Sequence, residues 1–254
     1  MITLGIDTSN YTTSVALYDG ENHTMSRKIL DVKMGMRGIR QSDGVFIHNR
    51  ELPHMIKELV NGVRVDAVGV STTPRNVSGS YMPVFTVGNG YAVAIASALG
   101  VKCHEFSHQD GHIMAGIYSV GAYDLLDEPF ISVHLSGGTT EALLVEPDDE
   151  KIFKITQIAR TLDLKAGQVI DRVGVMLGLS FPAGAMLDKL AVNGKLRKKP
   201  NVCLKGCNCC LSGVENICKR MIDNGYCKED VARYAIEHIY ETLYAMIKCI
   251  KDEF

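Results

Sequence analysis

The residues with the clearest chemical potential lie in five short stretches. His108 and His112 in Ser107-His108-Gln-Asp110-Gly-His112-Ile-Met-Ala-Gly116 are spaced i, i+4. On a helix both imidazoles would share one face, a spacing that suits a shared metal ion, with a third ligand, usually a carboxylate, supplied from elsewhere. His104, His48 and His54 are alternative ligands whose spacing supports only core or surface roles. Near mid-chain, Ser136-Gly137-Gly138-Thr139-Thr140 lies between two apolar runs, the pattern of a hairpin whose tip exposes backbone N–H groups and hydroxyls. Such a tip can cradle a phosphate. A partial copy, Asp7-Thr8-Ser9-Asn-Tyr11-Thr12-Thr13, follows the first apolar run. Asp171 and Asp188 stand near Gly-containing turns around Gly184, where carboxylates can accept hydrogen bonds from ribose hydroxyls or simply cap helices. Cys203, Cys207, Cys209 and Cys210 crowd together without a standard zinc spacing.

The elements needed to hold these groups are legible from periodicity. Residues 47–60 show helical spacing and stop at Asn61-Gly62. Val65 to Val70 reads as a buried strand, 85–99 as a tightly packed helix ending at Gly100, and 101–106 as a further strand leading into the His pair. Ligands collect at the carboxyl ends of such strands. In the second part, 130–135 and 142–145 flank the Gly-Gly turn, 151–158 supplies a third strand, and 166–177, 184–191 and 228–250 are helices. The implied class is α/β with mixed sheets.

The repeated hairpin predicts two related halves, residues 1–120 and 121–254, the second with a helical insertion at about 160–225. The second half has no counterpart of Val65 to Gly116, so its sheet is expected to be incomplete.

Composition narrows the class. Apolar and charged fractions of 46% and 22% are those of a globular protein. Neither a basic leader nor a membrane-length apolar run is present, so the expectation is a cytoplasmic protein without a membrane partner. A net charge of −2 offers nucleic acid no global attraction. Two basic clusters, Arg27, Lys28, Lys33, Arg37 and Arg40, and Lys195, Arg197, Lys198 and Lys199, read as solvated loops. The eight cysteines are expected to be free thiols or metal ligands and not disulfides.

In order, Leu4-Gly-Ile-Asp-Thr-Ser9, Asp66-Ala-Val-Gly, His108-x3-His112, Pro129-Phe-Ile-Ser-Val-His-Leu-Ser-Gly-Gly138, Gly167-x3-Asp171, Gly178-Leu-Ser-Phe-Pro-x-Gly184-x3-Asp188 and Leu211-Ser-Gly213 resemble the TsaD family, the catalytic subunits of tRNA threonylcarbamoyladenosine synthesis. The resemblance implies an actin-like ATPase (ASKHA) fold of duplicated ribonuclease-H-like halves. It also implies transfer of a threonylcarbamoyl group from threonylcarbamoyl-AMP to N6 of a tRNA adenosine. By that resemblance His108 and His112 hold one divalent ion (iron, zinc or magnesium). Ser136, Gly137 and Gly138 contact phosphate, with Thr139 beside them, and Asp171, Gly184 and Asp188 hold the adenosine. The implied partners are tRNA and either a TsaB-like subunit or a second copy. Non-catalytic support of a partner subunit and small-metabolite phosphotransfer are the alternatives. Three departures stand out: Tyr11 and Thr12 replace the family's acidic pair, Thr139 replaces a His, and neither the C-terminal Gly-Gly loop nor its Asp ligand has a match before Phe254.

Overall fold

The computed structural model describes residues 1–9, 11–30, 39–149 and 151–253. They divide into two compact units, Met1–Asp127 with Asp148–Lys154, and Glu128–Pro147 with Ile155–Phe254.

The first unit is built on a five-stranded sheet. Strands β1 (Thr3–Asp7), β2 (Thr12–Tyr18) and β3 (His23–Ile29) form an antiparallel meander, and β4 (Ala67–Thr73) and β5 (Lys102–Ser107) extend it in parallel, in the order β3-β2-β1-β4-β5. Parallel strands need crossover connections. Helices α1 (Gln41–Val60) and α2 (Phe85–Leu99) provide them. Leu4, Ile6 and Val15 from the hairpin meet Leu52 and Met55 of α1, Val68 and Val70 of β4, and Val87, Ala92 and Ala96 of α2 in one buried cluster. Of the small residues expected to make α2 pack tightly, Gly88, Ala92 and Ala96 are buried whereas Gly90 and Ala94 are exposed, and Gly100 ends the helix in the left-handed conformation (φ +67°) that a side chain would disfavour. Helix α3 (His108–Val120) begins directly after β5 with a reciprocal capping box: Ser107 Oγ accepts from Asp110 N, and the Asp110 carboxylate accepts from Ser107 N.

The second unit has a three-stranded sheet, β6 (Phe130–Leu135), β7 (Thr140–Pro147) and β8 (Phe153–Arg160), in the order β6-β7-β8. This order repeats β1-β2-β3, and no counterparts of β4 and β5 occur among the described residues. Helices replace them. The core is closed by α4 (Ala166–Met176), α5 (Gly184–Val192), α6 (Ser212–Asp223) and α7 (Lys228–Glu253), with Val169, Val173, Leu187, Val214, Val231, Ala235, Met246 and Ile250 buried against Ala142 and Ala159 of the sheet. Between α5 and α6, β9 (Leu204–Lys205) and β10 (Asn208–Cys209) form a small antiparallel hairpin.

Several expectations need correction. Arg27 and Lys28 are not in a loop. They belong to edge strand β3, whose exposed polar side chains conceal its period, and Lys28 pairs with Glu51 at 2.7 Å. Arg40 stands at the start of α1, while Lys33 and Arg37 lie outside the described residues. In the other basic cluster, the loop cation Arg197 is held at 2.6 Å by the buried Asp230 carboxylate. The expectation of no disulfides fails for Cys207 and Cys249, which are bonded to each other. The fold brings α7 over the small hairpin and sets their Cα atoms 5.4 Å apart, within bonding range despite 42 residues of sequence separation.

Two imidazoles are wholly buried, His48 against Thr13 (2.8 Å) and His238 beside Tyr234 (3.3 Å), and burial pushes both below the ordinary value of 6.5, with Asp7 opposing the shift at His48. Below that value the unfolded chain takes up protons that the folded chain refuses, so stability falls as pH drops from about 7 to 5. The urea midpoint is therefore expected to be lower at pH 5 than at pH 7.5. Equal midpoints would contradict the assignment.

Candidate functional site

In the first unit, the carboxyl ends of β1 and β5 bring Asp7 and His108 together. Asp7 Oδ2 lies 2.8 Å from His108 Nδ1, and His108 Nε2 lies 2.9 Å from His112 Nε2. The i, i+4 spacing expected of the two histidines is thus realised on the first turns of α3. Burial opposes ionisation of Asp7. Even so, the hydrogen bond and charge of His108, with Ser71 and Ser9, hold its carboxyl well below the usual carboxylate range. An ionised carboxylate only accepts, so His108 Nδ1 donates to Asp7. His108 Nε2 faces His112 Nε2 across that 2.9 Å contact, donor and acceptor being set by the tautomers of the two rings.

This arrangement suits a metal-ligating pair. Two imidazole nitrogens converge on one point, and a half-buried carboxylate fixes the orientation of one ring from behind. His108 is half-buried and His112 exposed, so the pair is open to an incoming ion. Asp7 is the participant that sequence reasoning did not assign. Its position at the end of β1, in the apolar-run-then-acid pattern, was the available signal. Of the alternative histidines, His48 is buried on Thr13, and His54 and His104 are exposed.

In the first hairpin, Thr8 is engaged within the fold. Thr8 is buried, donating to Val84 O (2.9 Å) and accepting from Gly88 N (3.1 Å). A Cβ on Gly88 would stand 2.9 Å from the Thr8 hydroxyl, so α2 is seated against this turn.

In the second unit, β6 and β7 are joined by the tip Ser136-Gly137-Gly138-Thr139, with Leu135 facing Thr140 across the ladder. Gly138 N and Thr139 N both donate to Ser136 Oγ, at 3.0 and 2.9 Å, and the Ser136 and Thr139 hydroxyls are 2.8 Å apart. Two backbone donors already converge on one oxygen, which is the task an anion would set them. Ser136, Gly137 and Gly138 are exposed, and Thr139 is half-buried. The tip rests on the first turn of α4: Gly167 N donates to Ser136 O (3.1 Å), and Ala166 N donates to Thr140 Oγ1 (2.8 Å).

Asp171 and Gly184 are also brought together. Asp171, on α4, accepts from Ala183 N at 2.8 Å, immediately before Gly184 opens α5. Asp188 is exposed one turn further along α5. Beside Asp171 a cavity of about 430 Å³ is lined by Gln168, Arg172, Met176, Phe181 and Glu215. Phe181 is 76% exposed there, and Arg172 pairs with Glu215 at 2.9 Å. The turn and Asp171 are therefore connected through one helix, α4.

Among the described residues, no helix is long and apolar enough to cross a membrane. A family model described as TsaD, tRNA N6-adenosine threonylcarbamoyltransferase, matches residues 44–253. The tRNA N6-adenosine threonylcarbamoyltransferase of Thermosipho africanus is 30% identical over 96% of this chain and 74% of its own length. That of Chlorobium chlorochromatii is 30% identical over 76% of this chain and 55% of its own. The structure of T. kodakarensis HypF aligns with 99% of this chain and 40% of its own at 12% identity and a TM-score of 0.60, a likeness of fold. With a duplicated hairpin fold, a histidine pair backed by an acid, and a family match over most of its length, this chain belongs to the TsaD family.

Proposed function

We propose that the chain transfers a threonylcarbamoyl group from threonylcarbamoyl-AMP to the N6 amine of a tRNA adenosine. The observation that carries this reading beyond family membership is the Asp7–His108–His112 chain of hydrogen bonds, a built ligand pair in which the carboxylate sets the ring. His108 and His112 would hold one divalent ion, and imidazole nitrogens suit iron or zinc better than magnesium. Such an ion would polarise the activated carbonyl and offset developing charge.

The chain's own residues bind and orient. Ser136, Gly137, Gly138 and Thr139 are the proposed phosphate contacts, with Ser136 Oγ giving up its two backbone donors to the adenylate. Asp171, Gly184 and Asp188 are the proposed nucleoside contacts, around the cavity that Phe181 borders. Transfer then depends mainly on positioning the activated carbonyl against the amine.

The test is to incubate the purified chain with unmodified tRNA and threonylcarbamoyl-AMP and to measure the modified nucleoside by mass spectrometry. Product that disappears in His108→Ala supports the reading; product formed equally well by His108→Ala overturns the role of the pair. Tyr11 and Thr12, standing where the family has an acidic pair, favour a second reading, support of another subunit. In that case the chain alone is inactive and raises the activity of a complete family transferase on mixing.

A further inference from the structure

The thiol-rich segment takes no part in the proposed reaction, yet it assembles a separate set of donors. Cys207 sits at the tip of the β9–β10 hairpin, next to Gly206. Cys249 and Glu253 lie four residues apart on α7, hence on one helix face. The two sulfurs and a Glu253 carboxylate oxygen all lie within 4.8 Å of one another, with Glu253 Oε1 3.8 Å from Cys249 Sγ. Cys207 is buried, Cys249 half-buried and Glu253 exposed, so the donors grade from core to solvent and leave an entry path. Two ligands from a helix and one from a hairpin tip are a common way to build a thiolate metal site, with water in the fourth position.

We propose that Cys207, Cys249 and Glu253 bind a zinc-type divalent cation when the cysteines are reduced, and that the Cys207–Cys249 disulfide is the metal-free oxidised state of the same pair. Around one ion at about 2.3 Å, two thiolates stand roughly 3.8 Å apart in tetrahedral geometry. The hairpin tip and the cysteine side-chain torsions must open from bonding distance to that separation. An external dithiol supplies two electrons and two protons, the S–S bond breaks, and the dithiol leaves as its own disulfide. The dication then displaces both thiol protons. In the reverse direction a hydroperoxide takes two electrons from the thiolates. Its O–O bond breaks to give water and an alcohol with two protons from solvent, the S–S bond re-forms, and the dication leaves.

The neighbouring thiols compete poorly. Cys209 and Cys218 are wholly buried, with no path to solvent for an incoming ion. Cys203 and Cys210 are free thiols whose backbones are joined across the mouth of the hairpin, Cys210 N donating to Cys203 O at 3.1 Å.

Cobalt(II) is the probe, because thiolate ligands give a near-ultraviolet charge-transfer band that imidazoles do not. The full chain is reduced with a phosphine, stripped with a chelator and titrated anaerobically. The expected result is a thiolate band, saturating at one cobalt per chain where the His108–His112 pair has been removed. The band should persist in His108→Ala/His112→Ala and in Cys203→Ser/Cys210→Ser, be lost in Cys207→Ser/Cys249→Ser, and be lost on oxidation, with a mass decrease of two hydrogens. Glu253→Gln should weaken cobalt at least about tenfold. No thiolate band in the reduced parent, a band that survives in Cys207→Ser/Cys249→Ser, or unchanged affinity in Glu253→Gln overturns the site.

Discussion

Replacing His108 with alanine is expected to lower turnover about 100-fold or more while leaving thermal stability nearly unchanged. His108 is only half-buried, and its ring spans from the Asp7 carboxylate to His112, so its loss removes both a proposed ligand and the group that Asp7 orients. Asp7→Asn separates the two contributions. It keeps the side-chain volume but removes the charge that holds the ring's Nδ1–H, and outer-shell changes of this kind typically cost about 10–100-fold in metal affinity. Turnover and bound metal should therefore fall together in both variants, with the smaller loss in Asp7→Asn. Full activity in His108→Ala with undiminished bound metal would place the metal chemistry elsewhere.

Gly167→Ala is the second large effect. A Cβ there would lie 2.6 Å from Gly137 N, 2.8 Å from Ser136 C and 2.9 Å from Gly137 Cα. All three are backbone atoms, and no rotamer change relieves them. Either α4 or the hairpin tip must move, at a cost of about 1–3 kcal/mol in stability. Because the tip is the proposed phosphate contact, adenylate affinity should fall along with stability. Gly137→Ala is the control: a Cβ there meets nothing within 4 Å and its φ is not in the left-handed region, so stability should scarcely change. Equal thermal shifts in the two variants would mean that the contact between α4 and the tip carries no strain.

Helices with sharp stops were legible in the sequence. Helix α2 occupies the span that its small residues and Gly100 marked, and β6 coincides with the apolar run before Ser136. Strand β3 was not legible, because an edge strand with nearly every side chain in water has no alternation to read. Helix α6 was hidden for a different reason: its buried face comprises only Val214 and Cys218. At the site, helical spacing announced the His108–His112 pair, whereas the contact with Asp7 spans 101 residues and depends on β1 and β5 ending at the same edge. The burial of Thr8 was equally invisible, since it depends on Val84 and Gly88 reaching it from the start of α2. Likewise, the sulfurs of Cys207 and Cys249 meet only because α7 crosses the small hairpin.

The short second sheet leaves α7 with an outsized share of its unit, ten buried residues from Asp230 to Ile250. During synthesis the Ser136–Thr139 tip leaves the ribosome some ninety residues before α7 begins. Until that helix has been made, the tip stands on three strands and a few helices whose apolar faces still touch water. Nascent chains halted before Lys228 should thus be protease-sensitive throughout the second unit, and the first unit, whose core lies wholly upstream, should already resist digestion.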